Sequence, residues 1–527
     1  MALTFIKSNK GANLLVIDSF SYRREKVIAG KEIWRCSAYT KWKCMSRCHT
    51  KDGIITKTPN DHNHVPDQCK IRGRKVITDF KKRPATMIES TYKMLPKYLK
   101  ELNSAVQEYG ANDLIIEGKT KAIYALPEYL DGQYVIMKSH DQITCGDGAR
   151  KDILIGKGAL SNATNAAIFE YLNNAGVRTH FHRSVSETEC IVERCQMIPL
   201  EIVSRRLATG SYLKRNPGVN EGFRFSTPKM EYFFKDDANH DPQWSSDQIL
   251  ENKLMIGGLT IGQFELDEIT LVAKTCFEIL EKAWASRNCV LVDMKVEFGV
   301  TIKNKEIVLA DVIDNDSWRI WPAGDKRLMK DKQVYRNLSV VTTEAMSEIR
   351  KNYTWVSNEV KLFTSKPFAR VVIILGSSSD LPHAHKIEAK LKTLGVNCEI
   401  RISSAHKTTE KTIDVIRYYE SDGVPTVFIA VAGRSNGLGP VLSGNTTYPV
   451  INCPPVDYKS WGPEDIWSSL RLPSGLGCTT TIDPEGAALN AAQILALTDH
   501  CIWSRIHACR LNTTLSLMRA DKDLLKL

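Results

Sequence analysis

Charged side chains at regular intervals along one predicted strand constrain this chain more than any other feature. In the segment from Leu291 to Trp321, residues 290–300 alternate between apolar and polar positions, a pattern typical of a strand with one polar face. The apolar positions are Met294, Val296, Phe298 and Val300, and the polar ones are Asp293, Lys295 and Glu297. A second strand is predicted at 307–313.

The segment Lys303-Asn304-Lys305 between these strands predicts a hairpin turn. A three-residue loop would place Glu297 directly opposite Asp311, with the two side chains about 5 Å apart. Facing carboxylates repel each other unless a cation lies between them, and magnesium commonly reaches a protein through one or two carboxylates plus substrate phosphates. We therefore predict a magnesium site at these two acids. An exposed sheet face with solvated charges fits the same pattern.

Length and charge indicate how the chain is divided. Its 527 residues allow about three domains, and a hydrophobic fraction of 43% is typical of soluble globular protein. Residues 1–100 contain 22 basic and 8 acidic side chains, a net charge of +14, whereas the remainder contains 49 and 52, a net charge of −3. This asymmetry predicts a basic front module joined to two larger, nearly neutral domains.

Several features predict an intracellular protein. No apolar run approaches the roughly 18 residues of a membrane span. Lys7, Lys10 and Asp18 interrupt the first twenty residues, which therefore lack the continuous apolar region of a secretory signal. The 14 cysteines are scattered through a long chain, so most are expected to be reduced thiols.

The front module contains four residues of the types that bind structural zinc. They form a C-x7-C-x17-H-x-H set: Cys36, Cys44, His62 and His64. Unligated cysteines and surface histidines fit this spacing as well, because C-x7-C is wider than the usual two to four intervening residues. The basic charge together with Trp34, Tyr39 and Trp42 fits either a nucleic-acid surface or a solvated basic face. Residues 67–108 are predicted to form a basic linker and an amphipathic helix.

The text around these ligands, FIKSNKGANLLVIDSFSYRRE, IWRCSAYTKWKC and DHNH, resembles the FLYWCH zinc finger over residues 4–66. The resemblance implies that Cys36, Cys44, His62 and His64 bind zinc, and that the finger binds DNA or protein. The sequence has Ser19-Phe20 where that family usually has Gly-Tyr, and Cys48 is an additional thiol.

Three motifs of the middle region suit phosphate chemistry. EGKTKAIY at 117–124 predicts a strand with Lys119 and Lys121 on one face, which would be either a flap over nucleotide phosphates or ordinary surface charge. EIVSRRLATGSYLKR at 201–215 brings two arginines close to a Gly-Ser turn, a combination suited to a phosphate monoester. DNDSWR supplies Asp314, Asp316 and Arg319.

Three strand–turn–helix units in the last region predict a doubly wound parallel sheet. They are RVVIILGSSSD at 370–380, CEIRISSAHK at 398–407 and PTVFIAVAGRSNGLGP at 425–440, and Pro382 suits the first turn of a helix after the first unit. The turns meet at the carboxyl edge of such a sheet, so their side chains are expected to converge: Ser377, Ser378, Asp380, His406, Arg434 and Ser435. A histidine at a strand end also fits a structural role.

Residues 110–361 resemble the SAICAR synthetase family, and residues 369–527 resemble AIR carboxylase, in the order found in animal bifunctional purine-synthesis enzymes. The first resemblance implies an ATP-grasp-like α+β fold with magnesium held by Glu297 and Asp311. It implies nucleotide contacts from Lys119, Lys121, Lys295, Glu297 and Asp311, substrate-phosphate contacts from Arg205, Ser211 and Arg319, and an acid, Asp316, near the reacting centre. His140 stands where animal members are expected to have lysine.

The carboxylase resemblance implies a flavodoxin-like domain that needs no biotin, metal or ATP. His406 would transfer the ring proton, and Lys407 beside it resembles the class that uses CO2 directly. The ribonucleotide and CO2 site would be lined by Ser377, Ser378, Asp380, Ser404, Arg434 and Ser435. The family assembles as an octamer through this domain.

The sequence thus predicts a multidomain α/β enzyme of purine synthesis that carries a β-rich zinc finger. It would carboxylate 5-aminoimidazole ribonucleotide (AIR) with CO2 and then ligate L-aspartate to the product (CAIR) with ATP, giving SAICAR, in the cytoplasm. The alternative is a DNA- or chromatin-associated finger protein that uses the enzyme body as an oligomeric scaffold, which would place it in the nucleus as well.

Overall fold

The structure is a computed structural model, and its chain divides into two compact units, Met1–Ser104 and Ala105–Leu527. The described residues are 4–7, 13–17, 20–28, 31–36, 47–51, 54–57, 113–126, 132–145, 149–364, 369–456 and 462–525. The predicted linker at 67–108 lies outside them, as do Cys44, His62 and His64.

The first unit contains a six-stranded sheet whose strands pair in chain order and antiparallel. The strands are β1 (Thr4–Lys7), β2 (Asn13–Ile17), β3 (Phe20–Ile28), β4 (Lys31–Cys36), β5 (Arg47–Lys51) and β6 (Ile54–Lys57). Trp34 is buried, and its indole N–H donates to Thr50 Oγ1 at 2.9 Å. The indole of Trp34 is therefore not available to contact nucleic acid, which was one of the two alternatives for this face; Tyr39 and Trp42 lie outside the described residues.

The second unit begins with the part predicted to be the ligase, in which the described residues form two main sheets and two short ribbons. One sheet has the order β12-β13-β9-β8-β7, and the other has the order β16-β15-β14-β19-β20 with β21 also paired to β19. The strands are β7 (Leu114–Glu117), β8 (Lys121–Ala125), β9 (Tyr134–Ser139), β10 (Gln142–Cys145), β11 (Arg150–Ile153), β12 (Phe181–Ser184), β13 (Glu189–Glu193), β14 (Cys195–Leu207), β15 (Arg224–Phe234), β16 (Gln243–Trp244), β17 (Met255–Ile256), β18 (Leu259–Thr260), β19 (Cys289–Thr301), β20 (Ile307–Ala310) and β21 (Trp318–Pro322).

Among the described residues from 113 to 364, six helices accompany these sheets, and the longest packs on β19. They are α1 (Lys157–Ala175), α2 (Ser211–Arg215), α3 (Ser246–Glu251), α4 (Gln263–Ser286), α5 (Gln333–Arg336) and α6 (Thr343–Lys361). The predicted apolar face of β19, from Met294 to Val300, lies in one hydrophobic core with α4 residues such as Phe277 and Trp284. The apolar assignment of that face is confirmed. The polar face is also buried, since Asp293 and Glu297 are 6% and 2% exposed.

The hairpin that follows differs from its prediction by one residue. Glu297 pairs with Ala310. The backbone N–H of Thr301 donates to the carbonyl of Glu306, and the carbonyl of Thr301 accepts from the N–H of Lys305, so the hairpin loop consists of residues 302–305. Asp311 therefore follows the end of β20, at a φ of 65°, rather than lying opposite Glu297. The strand predicted at 117–124 is confirmed for residues 121–124, which belong to β8, but not for residues 118–120, which form the turn between β7 and β8.

The remaining part of the unit is a five-stranded parallel sheet with the order β23-β22-β24-β25-β26. Its strands are β22 (Arg370–Leu375), β23 (Asn397–Ile402), β24 (Thr426–Val431), β25 (Val450–Asn452) and β26 (Thr479–Thr480). Its helices are α7 (Leu381–Thr393), α8 (Thr409–Glu420), α9 (Leu438–Asn445), α10 (Trp467–Leu470), α11 (Pro484–Leu495) and α12 (His500–Leu525). The predicted doubly wound parallel sheet is confirmed, and its strand order is that of flavodoxin-like folds.

The C-terminal helix α12 joins the two parts of this unit. Ile502 and Ile506 lie in the core beneath the parallel sheet, whereas Ala508, Leu511 and Leu515 lie in the ligase core. Within the described ranges, no helix combines the length and apolarity needed to cross a membrane.

Candidate active sites

A cluster of lysines and carboxylates lies on the polar face of β19. Both oxygens of Glu297 are held: Lys295 Nζ lies 2.9 Å from Oε1 and Lys235 Nζ lies 2.8 Å from Oε2. Lys295 also donates to Glu201 at 2.7 Å, which is possible because Glu201 pairs with Glu297 across β14 and β19. Lys121 forms an ion pair with Asp311.

These contacts set the ionisation of the cluster. Burial by itself would raise the pKa of Glu297, but the charges of Lys295, Lys235 and Lys121 outweigh burial and lower that pKa to about 2. Burial lowers the pKa of Lys121 to about 8, against the opposing charge of Glu297. The lysines already neutralise the two carboxylates predicted to bind magnesium, so carboxylate repulsion alone does not require a metal here.

Lys119 does not join this cluster. It lies in the β7–β8 turn, and its ammonium contacts Asp237 at 3.0 Å with both side chains largely exposed. His140 follows β9, and its backbone N–H donates to the carbonyl of Thr120 in the same turn. The turn is thereby tied to the end of β9.

A second cluster gathers arginines at the other end of the same strand face. Arg205 is buried, forms an ion pair with Glu231 and donates to Asp293 at 2.6 Å. Arg319 Nη1 lies 3.3 Å from the same oxygen of Asp293, and Arg215 also pairs with Glu231. Three guanidinium groups thus face two carboxylates, which leaves a surplus positive charge.

The Gly-Ser turn lies beside this cluster. Gly210 has a φ of 60°, and a Cβ at this position would collide with the guanidinium of Arg319. Ser211 follows as the first, exposed residue of α2. The structure therefore brings Arg205, Ser211 and Arg319 into one region, as predicted, and the Nε and Nη1 atoms of Arg205 are held by Glu231 and Asp293.

Asp316 is the centre of a third group. Its Oδ2 lies 2.8 Å from Lys332 Nζ and 3.6 Å from Lys157 Nζ, and its Oδ1 accepts a 2.6 Å hydrogen bond from Tyr353. Burial would raise the pKa of Asp316, but Lys157 and Lys332 hold it well below its usual range. The neighbouring Asp314 shows the opposite shift, because burial and the charge of Asp316 raise its pKa.

In the parallel-sheet part, the three predicted turns meet at the carboxyl edge. A Cβ on Gly437 would lie 2.6 Å from His406 Nε2, so the second and third turns are in contact. His406 and Lys407 are exposed at that edge, and the backbone N–H of Lys407 donates to the carbonyl of Ser404. The prediction that these turns converge is confirmed for this pair.

The other turns are fixed by local hydrogen bonds. Ser377 accepts from the backbone of Ser379, and the Ser378–Asp380 turn leads directly into α7. Burial raises the pKa of Asp380. Arg434 has a φ of 53°, and its carbonyl accepts a 2.7 Å hydrogen bond from Ser468 of the α10 region. Ser378, Arg434 and Ser435 are exposed at the same edge.

Sequence reasoning missed the residues that hold these groups in place. They are Glu201 and Glu231 in the sheet, Lys235 just after β15, and Lys157, Lys332 and Tyr353 around Asp316. The alternating pattern of β14 places Glu201 on the same face as Arg205, so it could have indicated that Glu201 belongs to the site. The partners of Asp316 are distant from it in the sequence: Lys157 is 159 residues away, Lys332 is 16 and Tyr353 is 37. No local pattern connects them.

In the front unit, the structure describes one of the four predicted zinc ligands. Cys36 lies at the end of β4 and is buried. Cys48, the additional thiol, is paired with Trp34 across β4 and β5, and burial raises its pKa to about 11.

The folds and polar sites define a bifunctional α/β enzyme with a small β-sheet module in front. Three family models match the chain: SAICAR synthetase at residues 114–352, AIR carboxylase at residues 370–515 and the FLYWCH zinc finger domain at residues 5–64. These matches confirm all three predicted resemblances.

Two relatives extend across both enzyme parts. The chain is 54% identical over 421 residues to the multifunctional protein ADE2 of Gallus gallus, covering 80% of this chain and 98% of that protein. It is 54% identical over 412 residues to the bifunctional phosphoribosylaminoimidazole carboxylase/phosphoribosylaminoimidazole succinocarboxamide synthetase of Homo sapiens, covering 78% and 96%. The chain belongs to this family of bifunctional purine-biosynthesis enzymes, which favours the enzyme over the scaffold.

A solved structure gives a partial match. The phosphoribosylaminoimidazole-succinocarboxamide synthase of Ehrlichia chaffeensis is 28% identical, with a TM-score of 0.42, and the match covers 47% of this chain and 98% of that one.

Proposed function

We propose that the chain carboxylates AIR with CO2 and then joins the product, CAIR, to L-aspartate with ATP, releasing SAICAR, ADP and phosphate. One observation carries the ligase half of this proposal. The buried polar face of β19 links the lysine cluster at Glu297 to the arginine cluster at Asp293, and four residues of strand place these about 13 Å apart. Two phosphorylated substrates can thus bind side by side along one strand.

The lysine cluster is suited to the phosphates of ATP. Lys121 and Lys295, joined by Lys235, would exchange carboxylate oxygens for phosphate oxygens, and Lys119 lies in the turn that would close over the nucleotide. Glu297 and Asp311 fit magnesium, since both offer the hard oxygen ligands that it prefers and Glu297 stays ionised. When bound, magnesium would offset charge on the transferred phosphoryl group.

The arginine cluster is suited to the ribonucleotide phosphate. Arg319, packed on Gly210, and the exposed Ser211 would contact it directly. Arg205 is held in place by Glu231 through Nε and by Asp293 through Nη1, and its Nη2 group would contact the phosphate. The carboxylate of CAIR would attack the γ-phosphate of ATP, releasing ADP, and the amine of aspartate would then displace phosphate from the acyl carbon.

Asp316 fits an electrostatic part in that second step. Its carboxylate is held by Lys332 and Tyr353 and keeps its charge because its pKa is low. A weak base of this kind would attract the ammonium group of aspartate rather than remove its proton.

His406 would serve the carboxylase reaction. The electron-rich ring carbon of AIR would form a bond to CO2, and the imidazole would accept the proton that the same carbon loses. The three turns would hold the ribonucleotide, because they meet at the edge where such sheets bind ligands. The first turn carries Ser377, Ser378 and Asp380, the second carries Ser404 and Lys407, and the third carries Arg434 and Ser435.

Further proposals concern the metal and the assembly. Cys36, Cys44, His62 and His64 would hold a structural zinc, a donor set that suits this ion, and the finger would bind DNA or another protein. The parallel-sheet part would assemble as a homo-octamer. The enzyme would act in the cytoplasm, and in the nucleus where the finger directs it.

The two activities can be separated within one chain. Glu297→Gln is expected to reduce ligase turnover at least a hundredfold while carboxylase turnover stays unchanged, which also shows that the variant is folded. His406→Asn should reduce carboxylase turnover while ligase turnover stays unchanged. An unaltered ligase rate in Glu297→Gln would exclude Glu297 from the nucleotide site.

A further inference from the structure

A cavity of about 400 Å³ lies between the ligase part and helix α12. This volume is within the range of pockets that bind small molecules. The cavity is separate from the sites described above. Arg205 and Arg206 are neighbours on β14 and so point to opposite faces of the sheet, the first to the arginine cluster and the second to this cavity.

The acids in the cavity already have partners. Arg206 holds Glu281 with two bonds, of 2.6 and 2.7 Å, and donates to two backbone carbonyls as well. His507 Nε2 lies 2.8 Å from Glu278 Oε2, which links α12 to α4. Neither carboxylate is therefore left to bind a cation.

Two further basic side chains in the lining are not neutralised in this way. The side chain of Arg224 is 61% exposed, and its Nη2 lies 3.5 Å from Glu281 Oε1, an acid that Arg206 already holds with two shorter bonds. Lys282 forms no ion pair with another residue in the part of the chain that the structure describes. The cavity therefore has a surplus positive charge and favours an anion.

The rest of the lining suits an aromatic ring. Trp503 and His507 stack with their centroids 4.7 Å apart and their planes 28° apart. Val290 and Leu291 supply an apolar wall next to them. A flat ring can pack against the indole, because aromatic pairs prefer offset-stacked or edge-to-face contact.

We propose that this cavity binds a small aromatic anion of the nucleoside monophosphate class. Arg224 and Lys282 hold the phosphate, and the base packs beside Trp503. The ligand contacts α4 of the ligase part and α12 of the carboxylase part at once, so its binding stabilises the junction between them.

The test is a calorimetric titration of the full-length chain, without magnesium, with adenosine 5′-monophosphate and separately with inorganic phosphate. The double variant R224A/K282A is compared with R417A/K351A, which removes the same two residue types at sites 74% and 73% exposed. Nucleotide bound at the ligase site affects both variants alike, so the difference between them reports on the cavity.

R224A/K282A is expected to lose at least tenfold in affinity for the nucleotide relative to wild type and R417A/K351A. Both enzyme activities should stay unchanged, because neither residue belongs to the proposed catalytic sites. Identical isotherms for the two double variants would overturn the site. Inorganic phosphate binding as tightly as the nucleotide would overturn its assignment to an aromatic ligand.

Discussion

Leu511 offers a direct measurement of how far the ligase core depends on the C-terminal helix. Its side chain is 4% exposed and lies in the hydrophobic core that α4 and β19 build. Leu511→Ala removes the buried isobutyl contacts and leaves a cavity, a change that typically costs about 2–5 kcal/mol. The unfolded fraction should therefore rise roughly 30-fold to several thousandfold.

The assay is denaturant unfolding in which ligase and carboxylase turnover are followed separately. Leu517→Ala is the matched control, because Leu517 is on the same helix but is 67% exposed, and it should change the free energy of unfolding by less than about 0.5 kcal/mol. We expect Leu511→Ala to lower the denaturant midpoint for ligase activity. If its midpoint equals that of Leu517→Ala, the helix is not part of the ligase core in solution.

Three other perturbations test the sites. MgATP binding at pH 8 should take up roughly half a proton, because Lys121, with a pKa of about 8, is partly neutral until phosphates raise that pKa. Calorimetry in different buffers measures the uptake, which should vanish at pH 6.5 or in Lys121→Met. Gly437→Ala should slow carboxylation about tenfold or more but not ligation, since its methyl group displaces His406, and equal rates would refute that contact. Cys36→Ser should lose zinc while both activities persist, and zinc retained at full stoichiometry would exclude Cys36 as a ligand.

The pattern of β19 was sufficient to predict its strand and its faces, but not its partner. Alternation assigns a residue to a face, whereas the register depends on the length of the hairpin loop. The loop has four residues, 302–305, so Glu297 pairs with Ala310 and Asp311 falls beyond the strand. The two acids are then held by lysines in β8 and β19 and by Lys235, which directly follows β15, and the sequence offers no local signal for that arrangement.

Buried charge was the least predictable part of the site. Lys157 is 1% exposed at the first turn of α1, where both burial and the helix dipole disfavour a cation. Asp316 and the ring of Tyr353 offset that cost, and both are distant in sequence. The turns of the parallel sheet were easier to predict, because strand, turn and helix follow one another locally and the topology brings their ends together.

Helix α12 explains why the two enzyme parts form one compact unit. At 100° per residue, Ile502 and Ile506 lie on one side of the helix, and Leu511 and Leu515 lie on roughly the opposite side. The first side packs into the carboxylase core and the second into the ligase core. Its ligase side also pairs with acids of α4, as His507 does with Glu278.

A helix with apolar residues on two sides shows a weaker difference in hydrophobicity between its faces than a helix with one buried face. The sequence of α12 therefore does not indicate that it packs against two cores. The boundary between the two enzyme parts in the sequence is therefore not a boundary between two separate cores. A ligase fragment that ends there lacks the core residues Leu511 and Leu515. It also lacks Lys522, which pairs with Glu265, and Arg519, which pairs with Glu268. Such a fragment exposes part of its own core, and its instability would follow from the missing helix rather than from any fault in its active site.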